Sequence, residues 1–130
     1  MKHLLLTTIA AVLLVGCGKP SNPEADRALF EAARNGNNEA AKQHLDAGAD
    51  VNAAFASPSA NGVTPLHLAA ASNNRKLVVL LIAKGANVNV KDENGRTPLY
   101  YAIARKNPKT ADLLRKHGGK TGKELEAEGN

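Results

Sequence analysis

Thr64-Pro65-Leu66-His67 returns 33 residues later as Thr97-Pro98-Leu99-Tyr100. At the same offset Gly62 matches Gly95, Ala69 matches Ala102, Leu80-Leu81 matches Leu113-Leu114, and Gly85 matches Gly118. A fixed period of this length constrains the fold more tightly than composition does. Each unit is too small to bury its own apolar face, so it stacks on its neighbour and the chain becomes a solenoid. Folds of this kind offer surfaces for binding.

The middle unit is the clearest. Thr64 suits a helix N-cap and Pro65 the first helical position, where its missing amide proton costs nothing. Leu66, Ala69 and Ala70 then share one helical face. Asn73-Asn74 reads as a turn, because asparagine tolerates the left-handed conformation. A second helix is predicted from Arg75 to Lys84, with Leu77, Val78, Leu80, Leu81 and Ile82 on its apolar side, and Gly85 as its C-cap. Asp92-Glu93-Asn94-Gly95 marks the next turn. The third unit repeats this plan to His117-Gly118-Gly119 with a more polar second helix, as expected of a terminal cap.

The first unit is degenerate. Asp26-Arg27-Ala28-Leu29-Phe30 stands in place of the Thr-Pro-Leu-His element, while Ala32-Ala33, Gly36 and the stretch Asp46 to Asn52 keep the pattern. Gly48 and Gly85 are 37 residues apart, so four extra residues lie between Ala53 and Gly62. Insertions in repeat proteins map to the loop face, often the binding face. The predicted units are 23–58, 59–91 and 92–120, and 121–130 is a polar tail with little more than one helical turn.

The period and these motifs resemble the ankyrin repeat, a turn followed by two antiparallel helices, over Pro23 to about Lys120. The resemblance implies an all-α solenoid of about three helix-turn-helix units with hairpin-like loops. It implies a monomer that binds another protein, with no cofactor and no catalytic residue. In the family the motif histidine braces neighbouring turns. Tyr100 replaces it in the third unit, where that brace is therefore not expected. Ankyrin partners lie against the hairpin tips and the inner face of the first helices. Matched onto this chain, those positions are Ala60, Asn61, Val63, Ala71 and Ser72 in the middle unit. The third unit supplies Glu93, Asn94, Arg96, Ala104 and Arg105, and the first supplies Arg34 and Asn35. Phe55 joins them as an aromatic residue in a loop of small and polar ones. It either anchors a partner or folds back onto the first unit.

The amino terminus carries a separate signal. Met1-Lys2-His3 is a basic start, followed by twelve uncharged residues from Leu4 to Val15. That run is short of the roughly 20 residues a membrane span needs and has the length of a signal-peptide apolar region. It ends at Leu14-Val15-Gly16-Cys17, which resembles the lipobox of bacterial lipoproteins. The resemblance implies removal of 1–16, a diacylglycerol on Cys17 and a palmitate-bearing terminus, with 17–22 as a short tether. Gly18, rather than aspartate, resembles the outer-membrane sorting pattern of enteric bacteria. A diderm source would then place the protein on the outer membrane facing the periplasm. An ordinary secretory signal with an incidental cysteine is the competing reading.

Composition narrows the function classes. The chain has 130 residues and a formal net charge of +5, too mixed with Asp and Glu for a nucleic-acid binder. Aromatic residues make up 3% with no tryptophan, so base stacking has little to work with. Cys17 is the only cysteine, which excludes an internal disulfide. His3, His44, His67 and His117 show no zinc-ligand spacing. Gly119-Lys120-Thr121 lacks the earlier glycine of a phosphate-binding loop, since position 114 is Leu114. No nucleophile elbow surrounds Ser57, Ser59 or Ser72. The resulting expectation is a membrane-anchored protein that binds, and regulates or stabilises, another protein of the bacterial envelope. The alternative is a structural envelope lipoprotein that contacts lipid or cell wall through its basic third unit. That unit carries Arg105, Lys106, Lys109, Arg115, Lys116 and Lys120, with Asp112 the only acid among them.

Overall fold

The computed structural model describes residues 22–58 and 60–129. The leader, Cys17 and Ser59 lie outside the described residues. The described chain forms α1 (Pro23–Asn35), α2 (Asn38–Asp46), β1 (Phe55–Ser57), β2 (Ala60–Val63), α3 (Pro65–Ala71), α4 (Arg75–Ala83), α5 (Pro98–Ala104), α6 (Pro108–Lys116) and α7 (Gly122–Gly129). None of these helices is long and apolar enough to cross a membrane.

The helix starts follow from the repeated caps. Thr64 and Thr97 are both extended and both accept a hydrogen bond from the amide three residues on, and proline follows each. Asn22, Asn37 and Asn74 cap α1, α2 and α4 in the same way. Three antiparallel pairs result: α1 with α2, α3 with α4, and α5 with α6. Leu29, Leu66 and Leu99 are fully buried at equivalent places in the first helices, and Leu81 and Leu114 in the last two second helices. Each such leucine contributes about 1.5–3 kcal/mol by leaving water. Ala33, Ala69, Ala70 and Ala102 are fully buried between them, and their small side chains let the helices approach closely. The first helices contact one another more extensively than the second helices do.

Asparagines tie unit to unit. Asn52 Oδ1 accepts from the Asn87 amide at 2.8 Å, and Asn89 Oδ1 accepts from the Lys120 amide at 2.8 Å. Asn74 Nδ2 donates to Asn38 Oδ1 at 2.7 Å, and Asn107 Nδ2 donates to the carbonyls of Ala70 and Ala71. These bonds satisfy groups that a helix end or a turn would otherwise leave to water.

Two parts of the chain depart from the plain repeat. The four extra residues of the first loop build the antiparallel hairpin β1–β2, with Phe55 opposite Val63 and Ser57 opposite Ala60. Gly62 has φ +77°, and a Cβ there would lie 3.1 Å from the Glu93 amide nitrogen. That amide donates to the Asn61 carbonyl at 3.0 Å, so only glycine lets the hairpin dock against the next turn. The tail differs from expectation: 122–129 is an eight-residue helix. A reciprocal capping box starts it, with the Glu124 amide donating to Thr121 Oγ1 and the Thr121 amide to Glu124 Oε1.

Candidate binding surface on the first-helix face

Along α1, Arg27, Phe30, Glu31 and Arg34 recur at the spacing that places side chains on one helical face. The hairpin overhangs this face and brings Phe55 to Phe30, with ring centroids 4.9 Å apart and planes tilted by 47°. Leu68 of α3 and Arg105 at the end of α5 close the far side. The result is a groove of about 580 Å³ with an apolar floor of Phe30, Phe55 and Leu68. Arg27, Arg34 and Arg105 ring it, and Glu31 is the acid among them. Arg34 sits 3.6 Å from Glu31, but both side chains are substantially exposed and such a pair contributes little. Arg34 is therefore free to turn toward an incoming carboxylate.

Beside the groove lies a buried polar clamp. Asp92 is 5% exposed. Its Oδ1 accepts from the amides of Asn94 and Arg96, both at 2.9 Å. Its Oδ2 accepts from Arg96 Nε at 3.0 Å and from the Tyr101 hydroxyl at 2.6 Å. Burial pushes the Asp92 carboxyl up, yet the Tyr101 hydroxyl and the two amides outweigh it and hold the group below its ordinary value. The same burial and the Asp92 hydrogen bond push the Tyr101 hydroxyl up to about 12. The Arg96 guanidinium lies 5.9 Å from the Tyr100 ring centre and 5.5 Å from that of Tyr101. Its buried Nη2 has no hydrogen-bond partner, so the π faces are its compensation.

His67 connects this clamp to the middle unit. Its Nδ1 accepts from the Thr64 amide at 3.0 Å, which leaves Nε2–H to donate to the Arg96 carbonyl at 2.9 Å. Burial lowers its pKa and keeps the ring neutral. In the third unit Tyr100 makes no such brace. Thr97 Oγ1 instead donates to the Lys120 carbonyl at 2.6 Å, closing the last unit onto the segment before α7.

The residues proposed from sequence divide sharply. Arg34, Phe55 and Arg105 line the groove. Phe55 folds back onto Phe30 of the first unit and lines the groove. Arg105 also borders a small cleft with Arg96, Tyr100, Tyr101 and Ala104, which makes the inner surface continuous into the third unit. Asn61, Glu93 and Asn94 are exposed at the loop tips, where Asn61 Nδ2 meets Glu93 Oε1 at 3.4 Å. Ala60 and Ala71 are half-buried; Asn35 and Ser72 are exposed at helix ends. Val63 is a correction, since it is 1% exposed and belongs to the core. It ends β2 opposite Phe55 and directly precedes the buried cap Thr64. Arg96 is held by Asp92 as part of the clamp and has little freedom to meet a partner. Sequence reasoning missed Arg27, Phe30 and Leu68. The three-residue spacing of Arg27 and Phe30 was visible; the packing of α1 on α3 brings them to Leu68, and the hairpin adds Phe55.

A family model described as ankyrin repeats in three copies matches residues 29–124. The chain is 39% identical over 88 residues to the human mitochondrial disaggregase, covering 68% of this chain and 12% of that protein. It is 41% identical over 78 residues to the human oxysterol-binding protein-related protein 1, covering 55% of this chain and 8% of that one. An ankyrin repeat-containing protein of Schizosaccharomyces pombe is 32% identical over 65 residues, half of this chain and 30% of that protein. The chain thus spans less than a third of each of these relatives.

Proposed function

The chain belongs to the ankyrin-repeat family, and from that premise we infer that it binds a protein through its first-helix groove. Ankyrin repeats serve protein–protein interaction and are typically not enzymes. The single observation that carries the reading is the pairing of an apolar floor, Phe30, Phe55 and Leu68, with a rim of Arg27, Arg34 and Arg105. Aromatic and arginine side chains are the usual anchors of an interface. The complementary segment presents an apolar or aromatic side chain flanked by carboxylates.

The site of action is the bacterial cell envelope, where the bound protein is regulated or stabilised. The leader supports this, with its basic start, its apolar run and its only cysteine behind small residues. A lipid on Cys17 holds the domain near a membrane, because the five residues from Gly18 to Asn22 reach at most about 18 Å. Crosslinking and pull-down from membranes recovers a stoichiometric partner that Arg105→Glu or Phe55→Ala weakens by tenfold or more. Recovery unaffected by either substitution counts against the groove. Arg96→Glu is a poor probe, because it sets a second carboxylate against Asp92. Cys17→Ala tests the anchor separately: it releases the protein from membranes or blocks its processing. A variant that stays membrane-bound and correctly cut contradicts the lipid reading and leaves the groove untouched.

A further inference from the structure

A second concentration of positive charge lies away from the groove. Arg75 and Lys76 open α4, Lys109 and Lys116 lie along α6, and the four enclose a depression of about 750 Å³. An adjoining depression on the end of the stack adds Lys106 and Arg115. Asp112 borders both and is the only acid lining either. Six cations against one carboxylate account for the whole formal excess of +5 in the chain, so the remainder is balanced. None of the six is held in an ion pair among the described residues.

Three of the six, Arg75, Lys76 and Lys109, sit at helix starts where positive charge opposes the dipole, while Arg115 and Lys116 lie in the last turn of α6, where it is favoured. α1 and α2 carry Glu24, Asp26 and Glu39 in their first turns, matching the positive end of the helix dipole. α4 and α6 carry no acid there and begin with Arg75-Lys76 and Pro108-Lys109. Two aliphatic side chains also stand out among the cations. Val79 is 48% exposed and Ile103 46%, two of the three large hydrophobic residues exposed on the described chain. Leu113 lies half-buried between the helices beside Val79.

We propose that this face docks on an anionic bilayer surface. The patch holds no aromatic side chain, whereas a specific protein interface is enriched in aromatic anchors at its core. The four aromatic residues of the chain lie elsewhere, Phe30 and Phe55 in the groove and Tyr100 and Tyr101 against Arg96. Long flexible cations around short aliphatic side chains suit a headgroup layer. The ammonium and guanidinium groups meet phosphates there, and Val79 and Ile103 reach the acyl boundary. Charge complementarity needs no shaped partner, which fits a face made mostly by the second helices. The patch extends the basic third unit into the middle one, through Arg75, Lys76 and Val79. The second helices carry most of it, so the groove stays open while the domain lies on lipid. The docking depends neither on acylation of Cys17 nor on a partner in the groove.

The test uses the full chain bearing Cys17→Ala, floated with vesicles of phosphatidylcholine alone or mixed equally with phosphatidylglycerol. The leader, apolar with a basic start, contributes to both compositions, so the part of the difference lost on charge reversal within the patch reads the charged face. Binding to the mixed vesicles is expected to be at least about tenfold tighter and to weaken steeply with salt. Lys109→Glu with Lys116→Glu removes most of that gain, and Val79→Asp reduces it, each with an unchanged circular dichroism spectrum. Equal binding to both vesicles, or a gain that the double reversal leaves undiminished, overturns the proposal. So does tighter capture by polyglutamate than by phosphatidylglycerol vesicles at equal anionic charge, which would assign the face to an acidic protein.

Discussion

At the scale of single residues, Asp92 does more than any other polar side chain to fix the inner surface. It gathers Arg96, Tyr101 and two amides around one buried carboxylate, and Arg96 passes the constraint to His67 through its carbonyl. Asp92→Ala leaves those donors without an acceptor and is expected to destabilise the fold by about 3–5 kcal/mol in chemical denaturation. Titration gives a second check. His67 has a lowered pKa in the folded chain, so its contribution is complete above its ordinary value of 6.5 and is lost progressively as pH falls below that. Asp92 behaves the same way below 3.8. Tyr101 is the opposite case. Its pKa is raised from 10.0 to about 12, so its contribution is complete below pH 10 and disappears as pH climbs from 10 to 12. Unfolding free energy measured across that alkaline range should fall in the native chain, and this step should be absent in Tyr101→Phe. A flat alkaline limb in both would show that the Asp92–Tyr101 bond contributes nothing.

At the scale of elements, the sequence was most legible where the 33-residue period is intact. Thr64-Pro65 and Thr97-Pro98 start helices where a cap and a first-position proline require them, and α4 ends within a residue of its predicted limit. The period says nothing about an insertion. Four extra residues could have formed any loop; they form a hairpin because β2 can dock on the turn at Asp92-Glu93. Val63, which pattern matching placed on the surface, is buried where β2 runs into the cap Thr64. The tail was misread for a different reason. Thr121 and Glu124 form a capping box that a search for apolar periodicity passes over. Gly62→Ala tests the docking of the hairpin. The positive φ and the approach of the Glu93 amide give an expected loss of about 1–3 kcal/mol, with faster amide exchange confined to 55–63 and 92–95. Exchange that rises evenly over the whole chain would indicate that the hairpin is not an independent unit.

At the scale of the whole molecule, three short repeats give two differently equipped faces. The first-helix face carries the aromatic groove with its arginine rim; the second-helix and end faces carry the unpaired cations around Val79 and Ile103. The groove was only partly legible beforehand, since Arg34 and Arg105 follow from the repeat pattern, but Phe30 and Leu68 join them through the stacking of the first helices and Phe55 through the hairpin. The measurement that most directly tests protein binding by the groove is site-specific photocrosslinking in intact membranes. A photoreactive amino acid is placed at Arg34 or Pro58 in the groove, or at Lys42 on the outer helix α2. The groove positions should yield one discrete protein adduct that Phe55→Ala removes, and Lys42 should yield none. Equal adducts from Lys42, or an adduct from Arg34 that survives Phe55→Ala, would contradict it.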